Sequence, residues 1–379
     1  CPFSCSYCLS SIDKKLRFRN LELVKKELQF FIDKKVPQVK FVDRTFNCRH
    51  DHAMAIWTYI HEHDNGITNC HFEVSADLLN EKEIALINRM RPGLIQLEIG
   101  VQSANEITIR EINRTMKIDV LSTIVDKIKK GNNVHQHLDL IAGLPYEGYE
   151  SFGKSFDRVY KMNPEQLQLG FLKVLKGSVM HDRAQEYGIV YQDRAPYEVL
   201  STKWLTYAEV IRLKQIEEMV EVYYNSGQFC CTMAALEQEF ASPFCMYECL
   251  AAYYDEKNAF AVSHSRIGRY EILYDFIVKT CKERSEQYME MLTLDMYLRD
   301  NVKKRPEFLR ESGVSSDEAA AFYKKEEKER TYLKAYEGYD RRQMRKMTHL
   351  ERIDGKTVLF DYKNRDPLTG NAAIYYLSE

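Results

Sequence analysis

The sequence predicts an α/β fold in its first half, in which strands and helices alternate to build a parallel sheet or barrel, and a mainly helical second half. Two observations support this prediction. Short β-type runs recur through the first half with helical patterns between them, and long helical stretches dominate after about residue 190. The length of 379 residues is typical of two domains.

The first half shows five β-type runs rich in branched and aromatic residues, at residues 39–43, 70–75, 95–100, 135–141 and 166–174. The segments between them have helical periodicity. In residues 20–31, for example, Asn20 suits the N-cap position and apolar residues recur at helical spacing. Because strands that alternate with helices form βαβ units, we expect the five strands to lie parallel.

Several of these strands have one polar face. His71 and Glu73 alternate with apolar residues in the second run, and His137 and Asp139 do so in the fourth. Since helices should cover the outside of such a sheet, the polar face is predicted to line an open, wet lumen. The alternative is an antiparallel sheet with a solvent-exposed face, which the strand–helix alternation disfavours.

The second half carries three long helical stretches, at residues 198–225, 265–299 and 315–349. The last opens with a capping box formed by Ser315 and Glu318. Residues 356–377 are predicted to form a small β-hairpin. We therefore expect a core of residues 1–190 and a helical C-terminal domain of unknown function at residues 191–379.

Composition excludes several classes of protein. Lys+Arg 54 against Asp+Glu 56 leaves a formal net charge of −2, so bulk charge gives no strong signal for nucleic-acid or membrane-surface binding. No apolar run reaches transmembrane length, and no signal peptide is present. The 10 cysteines are too few for a disulfide scaffold, which favours reduced or metal-bound thiols in the cytoplasm. Because the chain begins with Cys1, we also expect a segment to precede it.

The opening "CPFSCSYCLSS" places Cys1, Cys5 and Cys8 at Cys-x3-Cys-x2-Cys spacing. Three thiolates are one short of a closed structural site, so a zinc ion or iron–sulfur cluster held by them keeps a position open for an exogenous ligand. An open position is typical of catalytic centres. The alternatives are unrelated cysteines or a zinc site completed by a distant ligand, for which His50 and His52 are the nearest histidines.

This Cys-x3-Cys-x-aromatic-Cys loop, followed by strand–helix units, resembles the radical S-adenosylmethionine (SAM) superfamily over residues 1–190. The resemblance implies a partial (β/α)6 TIM-like barrel whose first strand lies before Cys1. It also implies a 4Fe–4S cluster held by Cys1, Cys5 and Cys8, with SAM at the open iron. A flavodoxin- or ferredoxin-type donor would supply the electron that cleaves SAM to methionine and a 5′-deoxyadenosyl radical.

Two further segments, "LEIGVQSANEITIREINR" (97–114) and "DLIAGLP" (139–145), are similar to oxygen-independent coproporphyrinogen oxidases, methylthiotransferases and cobalamin-binding radical SAM enzymes. This resemblance implies that SAM is contacted by Tyr7, Glu73, Gln102, Arg114 and Asp139. An arginine suits the methionine carboxylate, and carboxylates suit the ammonium and ribose hydroxyls. Alternatively, the carboxylates balance the lumen histidines and the arginine caps its helix. Asp43 and Asn47, next to a strand end, are weaker candidates.

The nearest branch is the one in which a cobalamin-binding domain precedes the radical core and an uncharacterised helical domain follows it. We therefore predict cobalamin-associated methyl transfer, or another radical modification of an unknown substrate, in an oxygen-sensitive enzyme. The cobalamin domain would lie upstream of Cys1, because the chain lacks an Asp-x-His-x-x-Gly motif.

Other interpretations are also consistent with the sequence. The same core could carry out coproporphyrinogen-type oxidation or methylthiolation. A non-catalytic, zinc-stabilised binding module would leave the polar strand faces and the two motifs unexplained. An auxiliary cluster is a further candidate, although buried cysteines are also common in protein cores. Its ligands would be Cys230, Cys231, Cys245 and Cys249.

Overall fold

The computed structural model describes residues 1–13 and 15–377, and the chain divides into two compact units. Unit 1 comprises Cys1–Glu221 and Ser242–Glu248, and unit 2 comprises Val222–Ala241 and Cys249–Glu379. The domain boundary expected at residue 190 stays a prediction. Among the described residues, no helix combines the length and the apolar character needed to cross a lipid bilayer.

Unit 1 contains a five-stranded sheet in which every neighbouring pair is parallel and the strands follow chain order. The strands are β1 (Gln38–Lys40), β2 (Asn69–Val74), β3 (Ile95–Gln102), β4 (His135–Ala142) and β5 (Gln166–Phe171). Each overlaps one of the five runs read from the sequence. Parallel strands in chain order, with helical segments between them, confirm the predicted α/β class built on a TIM-like partial barrel.

The helices of unit 1 begin where the sequence offers caps. Asn20 caps the first helix by accepting hydrogen bonds from the backbone N–H groups of Glu22 and Leu23. The helices are α1 (Leu21–Asp33), α2 (His50–Glu62), α3 (Glu81–Ile87), α4 (Glu106–Glu111), α5 (Ile118–Lys129), α6 (Tyr149–Tyr160), α7 (Val179–Asp182) and α8 (Tyr207–Val220). A short antiparallel pair, β6 (Val190–Tyr191) and β7 (Val199–Ser201), precedes α8.

The two faces of the sheet differ as the alternation predicts. Phe72 of β2 is fully buried and packs against Trp57 of α2, with ring centroids 6.0 Å apart. On the opposite face, the strand register sets Glu98 beside both Glu73 and His137. Burial of the apolar face therefore fixes which side chains line the lumen.

Unit 2 is mainly helical and ends in an antiparallel sheet with strand order β10-β9-β8. Its helices are α9 (Cys230–Leu236), α10 (Pro243–Glu256, whose first residues belong to unit 1), α11 (Arg266–Thr280), α12 (Ser285–Arg299), α13 (Ser316–Glu329) and α14 (Arg341–Met347). Its strands are β8 (Thr348–Ile353), β9 (Lys356–Arg365) and β10 (Ala372–Tyr376). The predicted hairpin is present as β9 and β10.

The predicted helix at residues 315–349 is wrong beyond Glu329. Its capping box is present, since Ser315 and Glu318 bond reciprocally. The helix ends because Arg330 adopts a left-handed conformation with φ 52°. The side chain of Glu326 then accepts hydrogen bonds from the backbone N–H groups of Tyr332 and Leu333, which lie beyond the helix end. The chain then forms α14 and an unpredicted third strand, β8.

A buried carboxyl group ties together the segments that follow β3 and β4. Glu147 is 1% exposed, and its Oε1 accepts hydrogen bonds from Ser103 Oγ at 2.7 Å and Ser155 Oγ at 2.6 Å. No cationic side chain among the described residues forms an ion pair with it. Burial raises the pKa of Glu147 to about 7, although both serine hydrogen bonds oppose the rise.

We predict that Glu147→Gln stabilises the protein at pH 8.5 and has little effect at pH 5. The pKa in the folded state exceeds the ordinary 4.5, so the folded state holds a proton that the unfolded state has lost between these values. Stability present at low pH is therefore lost as the pH rises through about 7, at a cost of up to about 3 kcal/mol. Urea unfolding at both pH values measures the difference. Glu150→Gln, at an exposed position of α6, is the control, and a pH-independent effect of Glu147→Gln would contradict the prediction.

Candidate active site

The eight residues predicted from the sequence to bind the cluster and SAM all line one cavity of unit 1. Its volume is about 240 Å³. The eight are Cys1, Cys5, Tyr7, Cys8, Glu73, Gln102, Arg114 and Asp139. They come from the opening loop, from β2, β3 and β4, and from the segment after α4. The structure brings them together, and their roles in binding stay predictions.

The cysteine loop is held in place through its backbone. Ser6 donates its N–H to the carbonyl of Ile112 at 3.0 Å, and its own carbonyl accepts from Met180 N at 2.8 Å. Asn113 Nδ2 adds a hydrogen bond to the carbonyl of Ser4 at 3.0 Å. These contacts fix the loop between the end of α4 and the start of α7. The three thiols are therefore positioned by backbone contacts before any metal binds.

Arg114 is the central cation of the cavity. Its NH1 lies 3.8 Å from the sulfur of Cys5, and its NH2 donates to the carbonyl of Gly100. Its Nε is buried and has no hydrogen-bond partner among the described residues. A buried guanidinium N–H without a partner is costly, so this group is suited to an anionic ligand.

A glycine makes room for this arrangement. β3 and β4 shift register between Gly100 and Gln102, and Gln102 has a positive φ of 71°. A Cβ built at Gly100 would lie 2.2 Å from Gln102 Nε2 and 3.5 Å from Arg114 NH2. The missing side chain at position 100 thus lets both polar groups approach the strand. The segment "IGVQS" encodes this bulge.

The carboxylates of the cavity lie near cationic or ionisable partners. Glu73 Oε2 is 3.8 Å from Arg44 NH1, and Asp139 Oδ1 is 3.1 Å from His137 Nε2. Burial raises the pKa of both carboxyls; the neighbouring Glu98 adds to the rise at Glu73, and His137 opposes it at Asp139. Burial also raises the pKa of the Tyr7 phenol above its usual range, while Arg114 opposes that rise.

Glu98 was not predicted as a site residue, yet it lines the same cavity. Its Oε2 contacts His71 Nε2 at 2.9 Å and Lys40 Nζ at 3.4 Å. The signal was present in the sequence, because Glu98 occupies the polar phase of "IQLEIG" in β3. The cavity therefore combines carboxylates with the partly buried guanidinium of Arg114, a charge pattern that suits a ligand with both an ammonium and a carboxylate group.

The weaker candidates lie outside this cavity. Asn47 is fully buried, donates from Nδ2 to the carbonyl of Ser75 at 2.8 Å and accepts from Ser75 N at 3.0 Å, which ties the segment after β1 to the end of β2. Asp43 borders a larger cavity of about 510 Å³ beside β1, together with Cys1. Another cavity, of about 350 Å³, shares Tyr7 and Asp139 with the site and reaches Gln168 of β5.

Comparison with known families identifies the first half of the chain. Residues 1–159 match the model of the radical SAM superfamily. This match assigns the radical SAM superfamily to residues 1–159 of the chain. The superfamily binds a 4Fe–4S cluster and SAM, and the donors in the cavity fit both: three thiols on one loop, a buried guanidinium N–H with no partner among the described residues, and carboxylates. Residues 185–367 match a second family, described as a protein of unknown function (DUF4080).

Curated relatives match only part of this chain. The oxygen-independent coproporphyrinogen III oxidase of Salmonella typhimurium is 28% identical over 107 residues, which are 27% of this chain and 23% of the relative. The HemZ protein of Bacillus subtilis, described as oxygen-independent coproporphyrinogen-III oxidase-like, is 28% identical over 119 residues, which are 30% of this chain and 22% of the relative. The match thus spans less than a quarter of each relative's length.

Solved structures give similarly partial matches. The radical SAM methyltransferase TsrM from Kitasatospora setae aligns with a TM-score of 0.45 and 13% identity, over 54% of this chain and 42% of that one. Coproporphyrinogen III oxidase (HemN) from Escherichia coli aligns with a TM-score of 0.40 and 17% identity, over 56% of this chain and 49% of that one.

We predict that Arg114→Lys lowers SAM affinity about tenfold or more, because lysine keeps the charge but lacks the planar fork. Isothermal titration with SAM, on anaerobically reconstituted protein of measured iron content, tests this. Arg110→Lys is the control, since Arg110 lies on α4, is exposed and donates from Nε to the carbonyl of Glu106. Equal affinity in Arg114→Lys and parent protein, at equal iron content, would show that the guanidinium does not contact SAM.

Proposed function

We propose that this chain is the catalytic core of a cytoplasmic, oxygen-sensitive enzyme that cleaves SAM reductively and modifies its substrate by radical chemistry. The observation that carries the proposal is the convergence of three loop thiols and five further polar side chains on one cavity. Three cysteines at this spacing suit a metal centre with one open position, and the other side chains complement the charged groups of an amino acid.

Cys1, Cys5 and Cys8 would hold the 4Fe–4S cluster. When bound, the cluster would supply an open iron and the electron that cleaves SAM to methionine and a 5′-deoxyadenosyl radical. Cys5 is buried, whereas Cys1 and Cys8 are partly buried. Thiols buried to this extent would keep the cluster largely out of water. A flavodoxin- or ferredoxin-type protein is the proposed electron donor.

Arg114 is the proposed partner of the methionine carboxylate, because its buried Nε has no partner among the described residues. Glu73 and Asp139 are proposed to bind the ammonium and the ribose hydroxyls. Burial raises the pKa of both carboxyls, and a bound ammonium group would favour their ionised forms. Gln102 supplies a neutral amide, and Tyr7 borders the proposed SAM position through the loop.

The cavity of about 350 Å³ that shares Tyr7 with the site is the proposed substrate space. It is lined by apolar residues such as Leu140 and Phe171 and by the amide of Gln168. The apolar part of this lining would shield a carbon radical from water and stray hydrogen donors. The substrate itself is not specified by these residues.

We propose cobalamin-associated methyl transfer as the reaction, on the basis of the motifs at residues 97–114 and 139–145; the cobalamin would be bound by a segment that precedes Cys1. Coproporphyrinogen-type oxidation is the second candidate, supported by the 28% identity over 107 residues to a coproporphyrinogen oxidase. Methylthiolation is a third. Product analysis separates the first two, since methyl transfer converts SAM to S-adenosylhomocysteine and the oxidation releases methionine and 5′-deoxyadenosine only.

We predict that reconstituted protein reduced with dithionite forms 5′-deoxyadenosine from SAM, and that Cys5→Ser reduces this to the protein-free background because the cluster loses a ligand. Mass spectrometry of the quenched reaction measures the product. Cys281→Ser, at a partly buried position of unit 2, is the control and should retain the parent rate. Turnover by Cys5→Ser at the parent rate would overturn the cluster assignment.

A further inference from the structure

Unit 2 contains a second group of metal-ligating side chains. Cys230 and Cys231 begin α9, Asp295 lies on α12, and one ligand atom from each comes within 4.8 Å of the other two. Cys230 is exposed, Cys231 is partly buried and Asp295 is fully buried. We propose that these three side chains bind one zinc-type divalent cation, with a fourth position open to water or another ligand.

The donor spacing suits a single ion. Cys230 Sγ lies 3.4 Å from Asp295 Oδ1. A tetrahedral zinc ion, with Zn–S of about 2.3 Å and Zn–O of about 2.1 Å, separates such a sulfur and oxygen by about 3.6 Å. Little movement is therefore needed for the thiolate and the carboxylate to share an ion. Thiolates together with a carboxylate favour zinc over calcium or magnesium, which prefer oxygen ligands only.

The carboxylate is already oriented for this role. Asp295 Oδ1 accepts a hydrogen bond from Cys231 N at 2.9 Å, and Oδ2 accepts one from Thr232 N at 2.8 Å. Oδ1 also accepts a hydrogen bond from the Cys230 thiol, which a shared ion would replace once that thiol loses its proton, and Oδ2 keeps a second lone pair. Hydrogen bonds to a metal-ligating side chain are typical of metal sites, because they fix the orientation of that side chain before the ion binds. The same turn of α9 supplies two thiols and both orienting N–H groups.

The negative charge of these three side chains, when ionised, also favours a bound cation. Asp295 is fully buried, and in the part of the chain that the structure describes it makes no ion pair with lysine, arginine or histidine. A buried carboxylate is costly without an opposite charge. Binding releases the two thiol protons, and a divalent cation then reduces the three negative charges to one. The exposed thiol of Cys230 gives the ion a path from solvent.

Helix capping alone explains only part of this arrangement. Capping accounts for the two N–H groups that Asp295 accepts, but not for two adjacent thiols within ligand distance of the same carboxylate. Cys281, another free and partly buried cysteine of unit 2, is not part of the group and serves as a control. This site is independent of the radical chemistry proposed for unit 1.

The test uses the full chain carrying Cys1→Ser, Cys5→Ser and Cys8→Ser, so that the opening loop binds no metal. Zinc per chain is measured by mass spectrometry after desalting, and cobalt is added to report thiolate ligation through its charge-transfer absorption. We expect about one zinc per chain, as for a single site.

In the same background, Cys230→Ser and Cys231→Ser should each weaken zinc binding by about 100-fold or more, since losing only an outer partner of a ligand costs 10–100-fold. Cys281→Ser should bind as the background protein does. Circular dichroism checks folding, and Cys230 is exposed, so its replacement leaves the packing intact. A background protein that binds no zinc, zinc binding unchanged by Cys230→Ser, or iron–sulfur absorption that depends on these cysteines would each overturn the proposal.

Discussion

The period-two alternation along β2, β3 and β4 is the constraint on which the site depends. Each strand buries its apolar residues against helices. The alternate residues therefore face the lumen. Leu97 and Leu138 are fully buried, while Glu98 and Asp139, their direct neighbours in sequence, line the cavity. A slip of one residue in any strand would exchange the two faces. Core packing and cofactor binding are therefore set by the same register.

A single partly buried cation connects the parts of the site. Arg114 reaches the sulfur of Cys5 on the loop and the carbonyl of Gly100 on β3, and still keeps one buried N–H without a partner among the described residues. In a cavity rich in carboxylates, this guanidinium is the complement of an anionic group. It also holds the cysteine loop near the strands, so the proposed cluster and SAM positions depend on one side chain.

Sequence reasoning succeeded where the signal was local or periodic. The strands of unit 1 follow from alternation. Short motifs pointed to eight residues that the fold brings to one cavity, and their binding roles stay predictions. It failed where distant contacts decide the structure. The left-handed Arg330 that ends α13 has no sequence signature. Asp295, 64 residues from Cys231, joins the thiols only because α9 and α12 pack together. Glu98 was not predicted, although the alternation of polar and apolar residues along β3 places it on the polar face.

We propose above all that the opening loop holds a cluster to which SAM binds directly. Electron paramagnetic resonance of the anaerobically reconstituted, chemically reduced protein, recorded with and without SAM, tests it most directly. We expect a reduced-cluster signal whose g values change when SAM is added, because the ligand would bind at the open iron. A protein that contains stoichiometric zinc and gives no iron signal, or a cluster signal that SAM leaves unchanged, would contradict it.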